Sequence, residues 1–246
     1  MSKITVSIFI PVYNEGKIIE STIKQSISAL EKLGMSFELV IADDGSTDST
    51  PAIVSNMTKK EKRLNLFRES INRGRGEILN LAFQKAQGKI IAFYDADLST
   101  DLKYLPQLIN SIKNSGYDIA TGSRWFGGWF RSSYVKRGIM RLFVSFVYNN
   151  LIRILFRSNL KDHQCGFKSF KKSVILDIVK DAGMNRSRRW AWDTEILLRA
   201  RRKGYKIYEF PVIWEEKRKS TVKPIREFSI IFGYVFKLFF KFLLER

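Results

Sequence analysis

Ile90-Ile91-Ala92-Phe93-Tyr94-Asp95-Ala96-Asp97 is an apolar run that stops at two carboxylates separated by one residue. Bounded by Gly88 and by Ser99-Thr100, it reads as a buried parallel strand that delivers its last residues to the edge of an α/β sheet. Open α/β sheets bind ligands at that edge. Both carboxylates cannot be buried there unpaired, because desolvating an uncompensated charge is costly. A hard divalent cation such as Mg²⁺ or Mn²⁺, completed by phosphate oxygens, would meet the need and neutralise a diphosphate. The alternative is a solvated turn in which Asp95 and Asp97 cap the next helix.

Outward from this stretch the pattern repeats. Residues 5–12 form a β-branched strand that runs into Pro11-Val12-Tyr13-Asn14-Glu15-Gly16, and Ile18, Ile19, Ile23, Ile27 and Leu30 then recur at helical spacing up to Gly34. A second strand over 37–42 ends in Asp43-Asp44-Gly45-Ser46, and Pro51 marks the helix start behind it. A short third strand over 64–67 leads to Asn72-Arg73-Gly74-Arg75-Gly76 and a helix over 77–86. Strand and helix alternating in this way predict a mainly parallel, doubly wound sheet with right-handed crossovers. Every polar cluster so far sits at a strand's C-terminal end, so all converge on one crevice.

Downstream, a helix over 105–114 and a strand over 117–124 ending in Arg124 precede an aromatic loop of Trp125, Phe126, Trp129 and Phe130. Residues 136–157 predict a long helix whose Arg137, Arg141, Ser145, Asn149, Arg153 and Arg157, four apart, form a slowly winding basic band opposite Phe143, Val147, Leu151 and Leu155. Residues 189–195 open a further helix through Arg202, and a late strand covers 207–214. The segment 228–244 is rich in Phe and Leu with Ser229, Gly233, Lys237 and Lys241 along one line. Such a helix lies in a membrane interface with its lysines snorkelling, or packs on the core.

The net charge of +19 over 246 residues is unevenly placed. Residues 1–122 carry 15 basic and 14 acidic side chains, residues 123–172 carry 11 and 1, and residues 173–246 carry 17 and 9. The second half therefore points to a polyanionic partner: nucleic acid, an anionic membrane or a phosphorylated substrate. A single cysteine, Cys165, excludes an intramolecular disulfide framework, and a single histidine, His163, argues against His-based metal chemistry. Both read as structural. The N-terminal run reads as a strand, not a signal peptide, and no uncharged apolar stretch is long enough to predict a transmembrane helix.

Taken together, Pro11-Val12-Tyr13-Asn14-Glu15, Asp43-Asp44-Gly45-Ser46, Asn72-x-Gly74-x-Gly76, Asp95-Ala96-Asp97, Gly122-Ser123-Arg124 and Gln164-Cys165-Gly166-Phe167-Lys168 resemble family 2 glycosyltransferases. More narrowly the set resembles dolichyl-phosphate glucose and dolichyl-phosphate mannose synthases, over residues 4–215. The resemblance implies a single domain of the glycosyltransferase A type at 1–225, with a nucleotide-sugar half (1–122) and an acceptor half (123–225); the segment 226–246 reads from its own composition as an amphipathic membrane-interface helix. It implies that Pro11, Tyr13, Glu15 and Asp44 hold the nucleoside and that Arg75 lies near base or diphosphate. Asp95 and Asp97 would bind ribose and an Mg²⁺– or Mn²⁺–diphosphate. Asp43 fits the motif too, but strand alternation turns it away from the crevice.

The implied reaction is inverting transfer of a hexose from UDP-glucose or GDP-mannose to dolichyl or polyprenyl phosphate, by a protein peripheral to the cytoplasmic face of an anionic membrane. Arg189-Trp190, Asp193-x-Glu195 and Ser99 resemble the glucose-transferring branch more than the mannose branch. Arg124 with Lys136, Arg137 or Arg141 is the expected clamp on the acceptor phosphate, since guanidinium forks bind phosphate bidentately. Asp193 either caps its helix and pairs with Arg189 or, were the acceptor a sugar hydroxyl on a lipid-linked or surface glycan, Asp193 or Glu195 serves as general base. A nucleic-acid-binding protein would explain the charge but not the acidic strand ends, and a basic membrane-binding protein without turnover is the remaining class. A nicotinamide-dependent enzyme is disfavoured, because Gly74-x-Gly76 lacks a third glycine and follows the third strand.

Overall fold

The computed structural model describes residues 4–126, 135–136, 139–182, 191–217 and 224–244, with the backbone alone at 135–136, 139–141 and 224–231. The first half runs β1 (Val6–Val12), α1 (Ile19–Glu31), β2 (Phe37–Asp44), α2 (Thr50–Thr58), β3 (Leu64–Glu69), α3 (Arg75–Phe83), β4 (Ile90–Tyr94), α4 (Leu105–Lys113) and β5 (Ile119–Ser123). The second half adds β6 (Val135–Lys136), α5 (Ile139–Leu155), β7 (Phe167–Lys171), α6 (Lys172–Ala182), α7 (Trp192–Arg202), β8 (Ile207–Pro211), β9 (Trp214–Glu215) and α8 (Pro224–Leu244).

Seven strands form one sheet in the order β3-β2-β1-β4-β7-β5-β8, and β6 pairs with β9 in a separate parallel ribbon. Strand order reverses between β1 and β4, so the ends of these two neighbours flank the crevice where open sheets bind ligands. Alternation along the strands sorts the core into two layers. Ile8, Ile10, Ala92 and Tyr94 face α1 and α4, while Phe9, Ile91 and Phe93 face α3, α6 and α7.

The parallel sheet expected from the sequence is present with one interruption. β7 runs antiparallel between β4 and β5, with Tyr94 opposite Phe167 and Ala120 opposite Ser169. Its sequence, Phe-Lys-Ser-Phe-Lys, is too polar to announce a central strand, yet Phe167, Lys168, Ser169 and Phe170 are all buried. The helix α6 that follows it was also not legible, and the late strand is shorter than expected, ending at Pro211.

The basic band on α5 is corrected in part. Ser145 and Asn149, in the middle of the expected stripe, are buried, whereas Phe143 on the opposite side is 54% exposed. The reason is local: Tyr148 and Ile152 pack with Leu198 of α7 and Val235, Leu238 and Phe242 of α8, which turns Asn149 inward to accept the His163 backbone N–H at 2.8 Å. Arg153 and Arg157 remain exposed. α8 packs one face on the core and leaves the other exposed. Val235, Leu238 and Phe242 are buried, while Gly233, Phe236, Lys237, Phe240, Lys241 and Leu244 are exposed. Among the described residues no helix is long and apolar enough to cross a membrane.

α3 meets the start of α7 with no room to spare. A Cβ on Gly76 would collide with the Trp192 side chain, whose indole donates to Asn80 Oδ1 at 2.9 Å and packs against Phe83 and Phe93. Gly76→Ala is therefore expected to destabilise the fold by about 1–3 kcal/mol through overpacking, read as a lowered denaturant midpoint. An unchanged midpoint would contradict this packing.

Candidate active site

The apolar run of β4 ends at Tyr94, and Asp95-Ala96-Asp97 forms the turn beyond it. Leu98 adopts φ 50° and donates its N–H to Asp95 C=O at 3.1 Å, while Thr22 Oγ1 of α1 donates to Ala96 C=O at 2.7 Å. The turn is thus pinned from both sides. Asp97 Oδ1 accepts the Ser99 N–H at 3.0 Å, and its carboxylate has no ion-pair partner among the described residues.

Asp95 is held differently. Its Oδ1 accepts Arg75 Nη1 at 2.6 Å, and its carboxylate lies so close to Gly166 that a Cβ there would collide with it. Arg75 is the first residue of α3, behind Gly74 at φ 96°, and its other terminal nitrogen donates to Asp193. Asp193 Oδ1 accepts Lys168 Nζ at 3.1 Å, and Lys168 also donates to Cys165 C=O. Burial pulls the Lys168 ammonium down to about 8. Phe93 lies between the two cations, 5.7 Å from the Arg75 guanidinium and 5.9 Å from Lys168 Nζ.

The capping role expected of Asp193 is corrected. Asp193 does not cap α7, whose N-cap is Ala191 without a side-chain hydrogen bond, and it is a buried, doubly paired carboxylate. Arg189 lies outside the described residues.

The ends of β1 and β2 are stitched together by a residue not singled out beforehand. Asn14, at φ 56°, donates its N–H to Ser46 Oγ at 2.9 Å, and its Oδ1 accepts the Thr47 N–H at 2.8 Å. Beside it Pro11 and Glu15 are half-buried and Tyr13 is 47% exposed. Asp44 was expected to serve a nucleoside, but its two oxygens accept the Arg73 and Gly74 N–H groups, each at 2.7 Å. It shapes the loop that presents Arg75, and burial pushes its carboxyl above the ordinary range. Asp43 turns away as alternation requires and pairs with Arg68 at 3.1 Å.

Arg124 is the main correction. Expected as an open phosphate clamp, it is buried, and Asp162 takes its fork with Nε at 2.6 Å and Nη2 at 2.9 Å. Burial alone would raise the Asp162 carboxyl, but the guanidinium beside it holds it at about 2. The signal was in the sequence: Asp162 is the one acidic residue among eleven basic ones in 123–172. Of the partners expected for Arg124, Arg137 lies outside the described residues, as do the side chains of Lys136 and Arg141.

Residues 7–179 match the family model described as Glycosyl transferase family 2. The chain belongs to this family. Glycosyltransferase AglD of Haloferax volcanii is 37% identical over 91% of this chain, which spans 35% of AglD. The dolichyl-phosphate beta-glucosyltransferase of Saccharomyces cerevisiae is 33% identical over 87% of this chain and 68% of that protein. Among solved structures, glucosyl-3-phosphoglycerate synthase from Mycobacterium tuberculosis, in complex with Mn²⁺, UDP and phosphoglyceric acid, superposes with a TM-score of 0.64. It is 19% identical, over 94% of this chain and 76% of that one. Mannosyltransferase PcManGT from Pyrobaculum calidifontis, with GDP-Man and Mn²⁺, gives 0.60 at 20% identity, over 90% and 59%. The fold of this glycosyltransferase is thus of the A type.

The residues present fit a divalent ion of the hard, oxygen-seeking kind. Asp97 offers a partly exposed carboxylate without a resident cation, next to Asp95. Among the described residues no three acidic, His or Cys side chains converge, so phosphate and water oxygens would complete the shell, as suits Mg²⁺ or Mn²⁺.

His163 and Cys165 are structural, as expected. Burial pushes the Cys165 thiol up to about 11. Asn149 Oδ1 can only accept, so His163 Nδ1 carries the proton at 3.2 Å, and Nε2 accepts from Ser158 Oγ at 2.8 Å. Burial lowers His163 to about 3. From the unfolded value near ~6.5 down to that value, the unfolded chain binds one more proton here than the native one, so stability falls as pH falls. The stability slope between pH 6 and pH 5 should be steeper for wild type than for His163→Gln by about 1 kcal/mol per unit, in denaturant titrations. Equal slopes would contradict a neutral, buried His163.

Proposed function

We propose that this glycosyltransferase moves a hexose, glucose in preference to mannose, from a nucleotide diphospho-sugar to dolichyl or polyprenyl phosphate, with inversion at the anomeric carbon. The observation that carries the reading is the pair Asp95 and Asp97 at the end of β4, at the point where strand order reverses. The yeast relative's name supplies the sugar and acceptor class, and UDP and GDP-Man with Mn²⁺ in the structural neighbours support the donor class.

A bound divalent ion would stabilise the negative charge that develops on the leaving diphosphate. Asp97 would hold it with Asp95. Pro11, Tyr13, Glu15 and the loop fixed by Asp44 form the wall for the nucleoside, and Arg75 stands where it can reach the diphosphate. A lipid phosphate, with a second pKa near ~6, is largely dianionic at neutral pH and needs no general base. This agrees with an Asp193 whose oxygens already serve Arg75 and Lys168, and it disfavours a sugar hydroxyl as acceptor. Arg124 acts by fixing Asp162 and the start of the acceptor half, and the phosphate clamp falls to Lys136, Arg137 or Arg141.

The protein works as a peripheral enzyme on the cytoplasmic leaflet. Phe236, Phe240 and Leu244 on α8 are exposed beside Lys237 and Lys241, a composition that buries rings in the interface and leaves ammonium groups among headgroups. Each basic residue near an anionic surface adds about 1 kcal/mol.

The test is radiolabel transfer from UDP-glucose and GDP-mannose in parallel to dolichyl phosphate in detergent, with and without EDTA. Transfer to a lipid product that EDTA abolishes is expected, and Asp97→Asn should lower it by about 10²–10³-fold. Nucleotide-sugar hydrolysis without lipid labelling would reject the acceptor. Separately, Phe240→Asp combined with Leu244→Asp should release the protein from anionic vesicles at physiological salt, and sedimentation equal to wild type would reject α8 as the docking surface.

A further inference from the structure

Arg75 spans two carboxylates that differ in their freedom. Asp193 is 2% exposed at its side chain and locked by Lys168, which is itself completely buried, whereas the side chain of Asp95 is 37% exposed. The Arg75–Asp95 contact is therefore the labile half of the bridge. Gly166, which has no Cβ, lets the Asp95 carboxylate lie close against its backbone. A divalent ion held by Asp95 and Asp97 would compete with Arg75 for the Asp95 carboxylate. If both cations cannot hold it, Arg75 is the one that yields.

We propose that Arg75 is the resident counter-cation of Asp95 and moves from it to the diphosphate when metal and nucleotide arrive together, with the buried Asp193–Lys168 pair tethering its other nitrogen. The proposal rests on the reading that Asp95 and Asp97 hold the divalent ion. A metal ion arriving alone must displace an Arg75 Nη1 that has no second acceptor among the described residues. Arriving with a nucleotide diphosphate, it brings that acceptor, since phosphate oxygens match the guanidinium fork as well as a carboxylate does. Metal and nucleotide are thereby coupled through one side chain, and the coupling is reciprocal. Asp193 and Lys168 are positioning residues in this scheme. Without the Asp193 charge, Arg75 would settle wholly on Asp95 and shut the metal out.

The experiment is Mn²⁺ titration followed by electron paramagnetic resonance, with the full chain alone and with UDP or GDP present, and with folding checked by circular dichroism. Arg75→Met should bind Mn²⁺ alone at least about fivefold more tightly than wild type and show a smaller enhancement by nucleotide. Asp193→Asn should shift the Mn²⁺-alone affinity the opposite way. General loosening of the site cannot produce shifts of opposite sign. If Mn²⁺ binding to wild type depends on Asp97 but Arg75→Met binds Mn²⁺ alone no more tightly, the exchange is overturned and the metal assignment stands. If Asp97→Asn binds Mn²⁺ as wild type does, the metal assignment falls and the exchange falls with it.

Discussion

A lysine sits completely buried in the middle of a seven-stranded sheet, and its charge dictates much of what surrounds it. Lys168 on β7 cannot stay ionised in that position without an anion in contact, because the desolvation cost of an unpaired ammonium far exceeds what packing returns. Asp193 supplies the anion from the first turn of α7. That requirement fixes where α7 begins and how it enters the fold. It also explains why Trp192, the neighbour of Asp193, is wedged against Gly76 at the start of α3. The same approach brings Arg75 onto the second oxygen of Asp193, and from there onto Asp95. One buried cation thus organises two helices, two strands and the carboxylate at the centre of the site.

The second large constraint is the excess of positive charge after residue 122. With one acid among eleven basic residues between 123 and 172, the chain has a single local carboxylate with which to bury a guanidinium, and it gives it to Arg124. Asp162 is therefore structural in the strict sense that removing it would strand a buried cation. Arg153 goes to the surface of α5, Arg157 to the turn that follows it, and Lys237 and Lys241 to the exposed face of α8 beside unburied aromatic rings. A basic and apolar surface of that kind suits the proposed docking on anionic lipid headgroups.

Most of the first half was legible because its strands are ordinary buried parallel strands. Val6–Val12, Phe37–Asp44 and Ile90–Tyr94 read as apolar runs, and each stops at the polar residues that the sheet then displays. What could not be read were the pairings. Asp44 looks like a ligand-facing carboxylate, and nothing in its spacing reveals that two backbone N–H groups thirty residues away will take both its oxygens. Arg124 looks like a phosphate clamp for the same reason that it pairs so well with Asp162: a planar fork suits any carboxylate or phosphate that reaches it first. Helical periodicity on α5 failed where Ser145 and Asn149, polar by type, turned inward to meet a loop. Sequence reports which residues are charged; the fold decides which charges meet.

The reversed strand explains why both halves of the chain can share one site. Had β7 continued the parallel pattern, its last residues would stand at the edge with Asp95. Because β7 runs antiparallel to β4, with Tyr94 opposite Phe167, its first residues occupy that edge instead. Gly166 then lies against Asp95 and Lys168 reaches Asp193, while the loop just before them brings Asp162 to Arg124 at the end of β5. β5 runs parallel to β4, so Arg124 emerges at the same edge as the two carboxylates. A single inverted strand therefore sets the neutral, acidic-ended first half beside the strongly basic second half. In the proposed reaction, that border is where the diphosphate leaving group and the anionic nucleophile would be brought together.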